Sequence, residues 1–273
     1  VSGFGSDNQG LVEHLRVGFH GVESFVAEDY DELPATLHRN GRTRERYDKC
    51  VESGRSLFSR VTRVRFDSEG HDVAGLVVVP TDFDPDVKYP VIVFNHGNFG
   101  DGGRLTACRL RMLTGLTGDW SVGDQYVVFA PQYRGVGGSE GTDDFGGAEV
   151  ADIEGMHQLA LQMPFASGRS FMVGASRGGM MTWLALKRGA HPDAVAVMCG
   201  VNDLAAEVEA QPNYQGIIDT AFPDLDTRPS DLLIRSAVQW PEAINVPALI
   251  MHGDADEGAR PQGASDLASL LAA

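Results

Sequence analysis

The stretch Ser170-Phe171-Met172-Val173-Gly174-Ala175-Ser176-Arg177-Gly178-Gly179-Met180-Met181-Thr182-Trp183-Leu184-Ala185-Leu186 decides the fold. It opens as a short apolar run, tightens into a glycine-rich turn and continues as a run suited to a helix over Gly178 to Arg188. That order predicts strand, sharp turn, helix. A serine in G-x-S-x-G on such a turn has its hydroxyl pushed outward, and the flanking glycines let the backbone close without Cβ clashes. The helix start behind it favours negative charge on a nearby oxygen. Ser176 is thus the candidate nucleophile, with Gly174 and Gly178 supporting it; a chance glycine turn is the plainer alternative.

Outward from this stretch the same alternation repeats. Strands are predicted at Val91–Phe94, Tyr126–Ala130, Ala194–Met198 and Ala248–Met251, and helices at Leu105–Leu116, Val150–Met163 and Gly263–Leu271. Short β-branched and apolar runs between helices imply an α/β, doubly wound, mostly parallel sheet covered on both faces. Ahead of it, Val61–Phe66 and Val73–Val79 flank the turn Asp67-Ser68-Glu69-Gly70 and read as a hairpin. Residues 1–57 are expected to form an N-terminal extension of helices and loops, with helical pattern over Asp7–Phe25 and Arg42–Leu57. Residues 58–273 form the main domain. The stretch from about 202 to 245 is too long for a simple crossover and reads as a lid insertion, with a helical piece at Asp231–Val238.

In open parallel sheets the reactive groups gather beyond the carboxyl ends of the strands. After Val91–Phe94 come His96, Gly97 and Asn98, a turn suited to an oxyanion hole. Its expected donors are the backbone N–H of Arg177 and that of Asn98. His96 reads as a turn residue rather than a base. After Tyr126–Ala130 come Tyr133 and Arg134. A buried arginine there needs an acid, and Asp152 on the next helix is the candidate. After Ala248–Met251 comes His252-Gly253-Asp254-Ala255-Asp256. A carboxylate roughly 80 residues beyond the serine suits the member that orients a catalytic imidazole; Asp256 is the first choice and Asp254 the second.

Composition narrows the classes. The 273 residues carry a formal net charge of -16, which argues against nucleic acid and against an anionic membrane surface. No apolar run approaches the roughly 20 residues of a membrane span. No His, Cys or acid cluster has ligand spacing, so neither metal nor cofactor is expected. The three cysteines, Cys50, Cys108 and Cys199, stand far apart with no C-x-x-C, which predicts free thiols and a cytoplasmic, reducing setting.

Together, His96-Gly97, Tyr133-Arg134-Gly135 with Gly137-Gly138, the elbow Gly174-Ala175-Ser176-Arg177-Gly178-Gly179 and His252-Gly253-Asp254-Ala255-Asp256 resemble the α/β-hydrolase fold. Within it they resemble the catalytic domain of the prolyl oligopeptidase group and its bacterial esterase relatives. The resemblance covers about residues 58–273 and implies Ser176 as nucleophile and Asp256 as acid. The chain departs from the pattern at Asn98, where a glycine is usual, and at Gly258-Ala259. Its 57 leading residues are too few for the propeller of the large peptidases.

That resemblance also implies a histidine after one more strand, some 30 residues past the acid. None of the eight histidines follows His252, and Ala273 comes 17 residues after Asp256. The expectation is that the strand and its histidine lie beyond Ala273. The sequence therefore reads as a serine hydrolase working through an acyl-enzyme, carboxylesterase-like on small acyl substrates in preference to a peptidase of short peptides, with transfer to an acceptor other than water open on the same residues. The alternative is a non-catalytic binding protein that keeps the fold. The lid aromatics Tyr214, Phe222 and Trp240 are expected to pack the lid more than to line a pocket.

Overall fold

The computed structural model describes residues 9–27, 30–33, 43–98, 103–109, 125–221 and 229–273. Through them runs an eight-stranded sheet in the spatial order β1-β2-β3-β5-β4-β6-β7-β8. The strands are β1 Gly21–Ser24, β2 Val61–Ser68, β3 His71–Val78, β4 Tyr89–Asn95, β5 Val127–Pro131, β6 Ala166–Ala175, β7 Ala194–Met198 and β8 Ala248–Met251. From β1 to β5 neighbours pair antiparallel, and from β5 to β8 they pair parallel. The parallel half is the part the alternating apolar runs predicted. β5 is buried at every residue, as a strand covered on both faces must be.

Helices α1 Gln9–Leu15, α2 Arg44–Gly54, α3 Val150–Gln162 and α4 Arg177–Arg188 precede the lid segment. That segment holds α5 Leu204–Ala210, α6 Pro212–Ala221 and α7 Pro229–Ile234. Helix α8 Pro261–Leu271 follows β8. α3 lies on β4, β5 and β6, while α4 lies against β6, β4 and β7. Residues 177–186 of α4 are buried, and Trp183 at its centre donates through Nε1 to Asn202 Oδ1 at 2.8 Å. α4 stops at Gly189, whose φ of 109° lets its N–H return to the carbonyls of Ala185 and Leu186.

The first residues differ from the helical reading. The helix expected over Asp7–Phe25 ends at Leu15, and Gly21–Ser24 instead pairs with Arg65–Thr62 as an edge strand. The apolar residues at mixed spacing serve two elements: Leu11 and Leu15 enter the main core from α1. Phe19, beyond that helix, meets Phe66 edge-on at 6.2 Å. α2 matches the helical pattern of the second stretch and gives way to 3-10 turns over Arg55–Arg60.

The free-thiol expectation is overturned for two of three cysteines. Cys50 on α2 is bonded to Cys108, with Cα atoms 5.3 Å apart, and Cys199 alone is free. The 58-residue separation hid the pairing, because α2 packs against the 3-10 turn Ala107–Arg109. Of the helix expected at Leu105–Leu116, residues 105 and 106 are not helical, residues 107–109 form that single turn, and residues 110–116 lie outside the described residues.

In the lid segment Asp203 caps α5, its Oδ1 accepting from Ala206 N–H at 3.1 Å. The helical pattern of Asp231–Val238 resolves into the end of α7 and a 3-10 turn at Ala237–Gln239. Tyr214 and Trp240 are buried in the main core, in keeping with packing; Phe222 lies outside the described residues. Among the described residues no helix is long and apolar enough to cross a membrane.

Candidate active site

β4, β6, β7 and β8 are parallel neighbours, so their carboxyl ends open on one side. There the chain continues into His96-Gly97-Asn98, Ser176, Cys199 and the turn His252–Asp256. Ser176 has φ 55° and ψ −125°, a backbone region that L residues occupy only when their surroundings hold them there. Its N–H donates to Met198 O at 3.0 Å. Its own carbonyl accepts from Gly179 N at 2.9 Å and Val201 N at 3.3 Å. The side chain is half-exposed, at the start of α4.

The turn closes because no side chain intervenes. A Cβ on Gly178 would lie 1.9 Å from Asn95 O, and one on Gly174 would lie 2.3 Å from Gly178 O. A Cβ on Gly97 would lie 3.0 Å from Ser176 Cβ. The Gly97 turn therefore rests directly on the serine, and Asn98, exposed and at φ 68°, stands beside it.

His96 is buried and stacked on Tyr133, with ring centroids 4.1 Å apart. Its Nδ1 lies 3.1 Å from Gly97 O and its Nε2 3.2 Å from Gln132 O. Burial is the main cause that pushes its pKa down to about 4, and the charges of Arg177 and Arg109 add to it. The ring holds the loop in its neutral form. Tyr133, at φ 63°, donates its hydroxyl to His96 O at 3.2 Å, and burial drives its phenol well above the usual range. Arg134 meets the acid expected of it. Its N–H donates to Asp152 Oδ2 at 2.6 Å and its Nη2 to Asp152 Oδ1 at 2.8 Å, with Ser68 Oγ donating to the same carboxylate.

Asp256 lies past β8, two strand spacings or roughly 10 Å from β6. Its Oδ1 accepts from Gly258 N at 2.7 Å and Ala259 N at 3.2 Å, and these two donors are the leading causes that hold its carboxyl below the usual range. His252 stands behind it, with Nε2 2.9 Å from Ala259 O and 3.4 Å from Asp256 Oδ2. Asp254, the second choice, is exposed on the same turn.

The structure thus brings Ser176, Arg177, His96, Gly97 and Asn98 together and sets Asp256 across β7 from them. Sequence reasoning missed Asp143 and Glu149. The Arg177 guanidinium donates to Asp143 Oδ2 at 2.8 Å, to Asp143 Oδ1 at 2.5 Å and to Glu149 Oε1 at 2.6 Å. Both acids sit in an Asp- and Gly-rich stretch that reads as a solvated turn. The one available signal was Arg177 itself, a cation directly after a buried strand and in need of partners. Cys199 was missed as a neighbour of the acid; its side chain helps hold the Asp256 carboxyl below the usual range. Among the described residues no group of three or more His, Cys, Asp or Glu is placed to hold a metal ion.

Known proteins resemble this chain in sequence and in fold. The sequence profile of the prolyl oligopeptidase family matches residues 118–273. The uncharacterized peptidase YtmA of Bacillus subtilis (strain 168) is 30% identical over 135 residues, covering 48% of this chain and 52% of that protein. An acylaminoacyl peptidase of Pyrococcus horikoshii superposes with a TM-score of 0.62 at 19% identity, over 77% of this chain and 34% of that one. A puromycin-hydrolyzing peptidase of Mycobacterium tuberculosis gives 0.62 at 20% identity, over 79% and 34%. The chain spans about half the length of the curated relative and a third of these solved structures. The two solved structures carry the α/β-hydrolase sheet, and the profile match runs over more than half of the chain, including the elbow and the Asp256 turn. The chain belongs to the prolyl oligopeptidase family.

Proposed function

We propose that this site is the catalytic centre of a serine peptidase that cleaves short peptides through an acyl-enzyme. Ser176 Oγ attacks the scissile carbonyl carbon, and a histidine takes its proton and passes it to the leaving amine. The N–H groups of Arg177 and Asn98 receive the oxyanion. Asp256 stays ionised because Gly258 and Ala259 donate to it, and it orients the imidazole. Water then releases the acid. The observation that carries the reading is the elbow: a half-exposed serine at φ 55° on a strand-to-helix turn, with the Gly97 turn packed upon it.

His96 and His252 do not serve as the base in this reading, since each lies against a backbone carbonyl that fixes its ring. The base in this reading is a further histidine, oriented by the Asp256 carboxylate. Ester hydrolysis follows from the same chemistry, because an ester is the easier acyl donor. Peptides are favoured as substrates because the relatives above are named peptidases.

Turnover of a chromogenic peptide anilide by the full-length protein tests this. Ser176→Ala is expected to lower kcat by roughly 10⁶-fold and Asp256→Asn by about 10⁴-fold. Turnover surviving in Ser176→Ala contradicts the assignment.

A further inference from the structure

The side chain of Arg177 has no part in the reaction above, which uses only its backbone N–H. It is nevertheless the most heavily engaged cation beside the nucleophile. Its guanidinium is 2% exposed and lies between the rings of Phe145 and Tyr133, at 5.0 and 5.5 Å. Besides its fork onto Asp143 and its bond to Glu149, it donates through Nη1 to the main-chain oxygen of Asn98 at 2.9 Å.

That last bond joins two otherwise separate pieces. Arg177 is the first residue of α4, rigidly seated after the elbow. Asn98 lies on an exposed turn outside any helix or strand, at a positive φ. A donor 2.9 Å from its carbonyl anchors Asn98 on the far side of its Cα from the N–H that meets the oxyanion, and so restrains the turn that carries that N–H. The acids hold the guanidinium in place: Glu149 is fully buried and also accepts from Gly147 N at 3.0 Å, so it belongs to the start of α3 and cannot follow a moving arginine. Burial opposes the arginine's charge, but Asp143 and Glu149 outweigh it and keep the group protonated.

We propose that the Arg177 guanidinium is a positioning group that locks the Asn98 turn onto the nucleophile elbow, so that the two oxyanion donors are held at a set separation before substrate arrives. The role rests on the peptidase reading. It requires an effect on the transition state without a matching effect on substrate binding. Misplacing one donor by about an ångström lowers the rate by roughly tenfold to a hundredfold.

The experiment uses full-length protein and three forms: wild type, Arg177→Lys, and Arg177→Met combined with Asp143→Asn and Glu149→Gln. The triple variant removes the acids' charge along with the arginine's, so no buried carboxylate is left unpaired. Three quantities are read: kcat and KM on a peptide anilide, the inhibition constant of a peptide boronate, whose tetrahedral adduct fills the oxyanion hole, and the melting temperature. The expected result is a kcat lower by roughly tenfold to a hundredfold in the triple variant, with KM within about threefold. Boronate affinity should fall by the same factor as kcat/KM, and Arg177→Lys, which keeps charge but not the fork, should be intermediate. Unchanged kcat and boronate affinity in a folded variant overturn the proposal. So does a loss that follows the melting temperature and weakens KM and kcat alike. The wild type separates the two claims: wild-type protein without turnover refutes the peptidase reading, whereas active wild type with active variants refutes only the role of Arg177.

Discussion

Gly178 shows how tightly single residues are constrained at the elbow. A methyl group there would sit 1.9 Å from Asn95 O, a backbone atom at the end of a central strand, so it cannot be accommodated by turning a side chain. Gly178→Ala is expected to destabilise the fold by 3 kcal/mol or more, read as a lowered denaturation midpoint, and to remove activity with it. His96 makes a different prediction. Its folded pKa of about 4 lies below the ordinary value of 6.5, so the folded chain prefers the neutral ring. Below about pH 6.5 the unfolded chain takes up a proton that the folded chain refuses. Stability is therefore complete above pH 6.5, falls as the pH drops toward 4 and gains no further loss from this group below that. Between pH 7.5 and 5 the loss from His96 is roughly 2 kcal/mol. Urea unfolding of wild type and His96→Gln at both pH values checks it: the variant should lose less on acidification.

The elements divide by how local their causes are. The parallel strands and α3 and α4 were legible because each depends on its own run of apolar residues and its own turn. The strand β1 was not, because the four residues Gly21–Ser24 become a strand only when β2 offers them an edge. The pairing of Cys50 with Cys108 was hidden for a related reason: it depends on where α2 docks, not on either cysteine's neighbours. This bond closes a loop between residues 58 apart, and loop-closure entropy gives it about 4 kcal/mol of stability. Thermal unfolding with and without reductant should show a lower midpoint when reduced, and Cys50→Ser should show the lower value in both conditions. At the elbow's flank, Asp152→Asn leaves Arg134 buried without its carboxylate and should destabilise by roughly 3–5 kcal/mol in denaturant titration.

Across the whole molecule, chemistry gathers on the side of the sheet where β4, β6, β7 and β8 end, and the antiparallel half with α1 supplies core. Ser176, Asn98 and Asp256 were readable as site candidates because each follows a recognisable strand. Asp143 and Glu149 were not, since acids in a glycine-rich stretch carry no sign of burial until α3 and Arg177 enclose them. The net charge of -16 likewise describes the surface and leaves the site's chemistry open, because Arg177 and its acids are buried. The proposed reaction converges on one atom, the hydroxyl oxygen of Ser176. Treating the full-length protein with a fluorophosphonate probe and mapping the adduct by peptide mass spectrometry tests that claim most directly. A single adduct on Ser176, absent from Ser176→Ala, is the predicted result; an unlabelled Ser176, or an adduct on another residue, would contradict it.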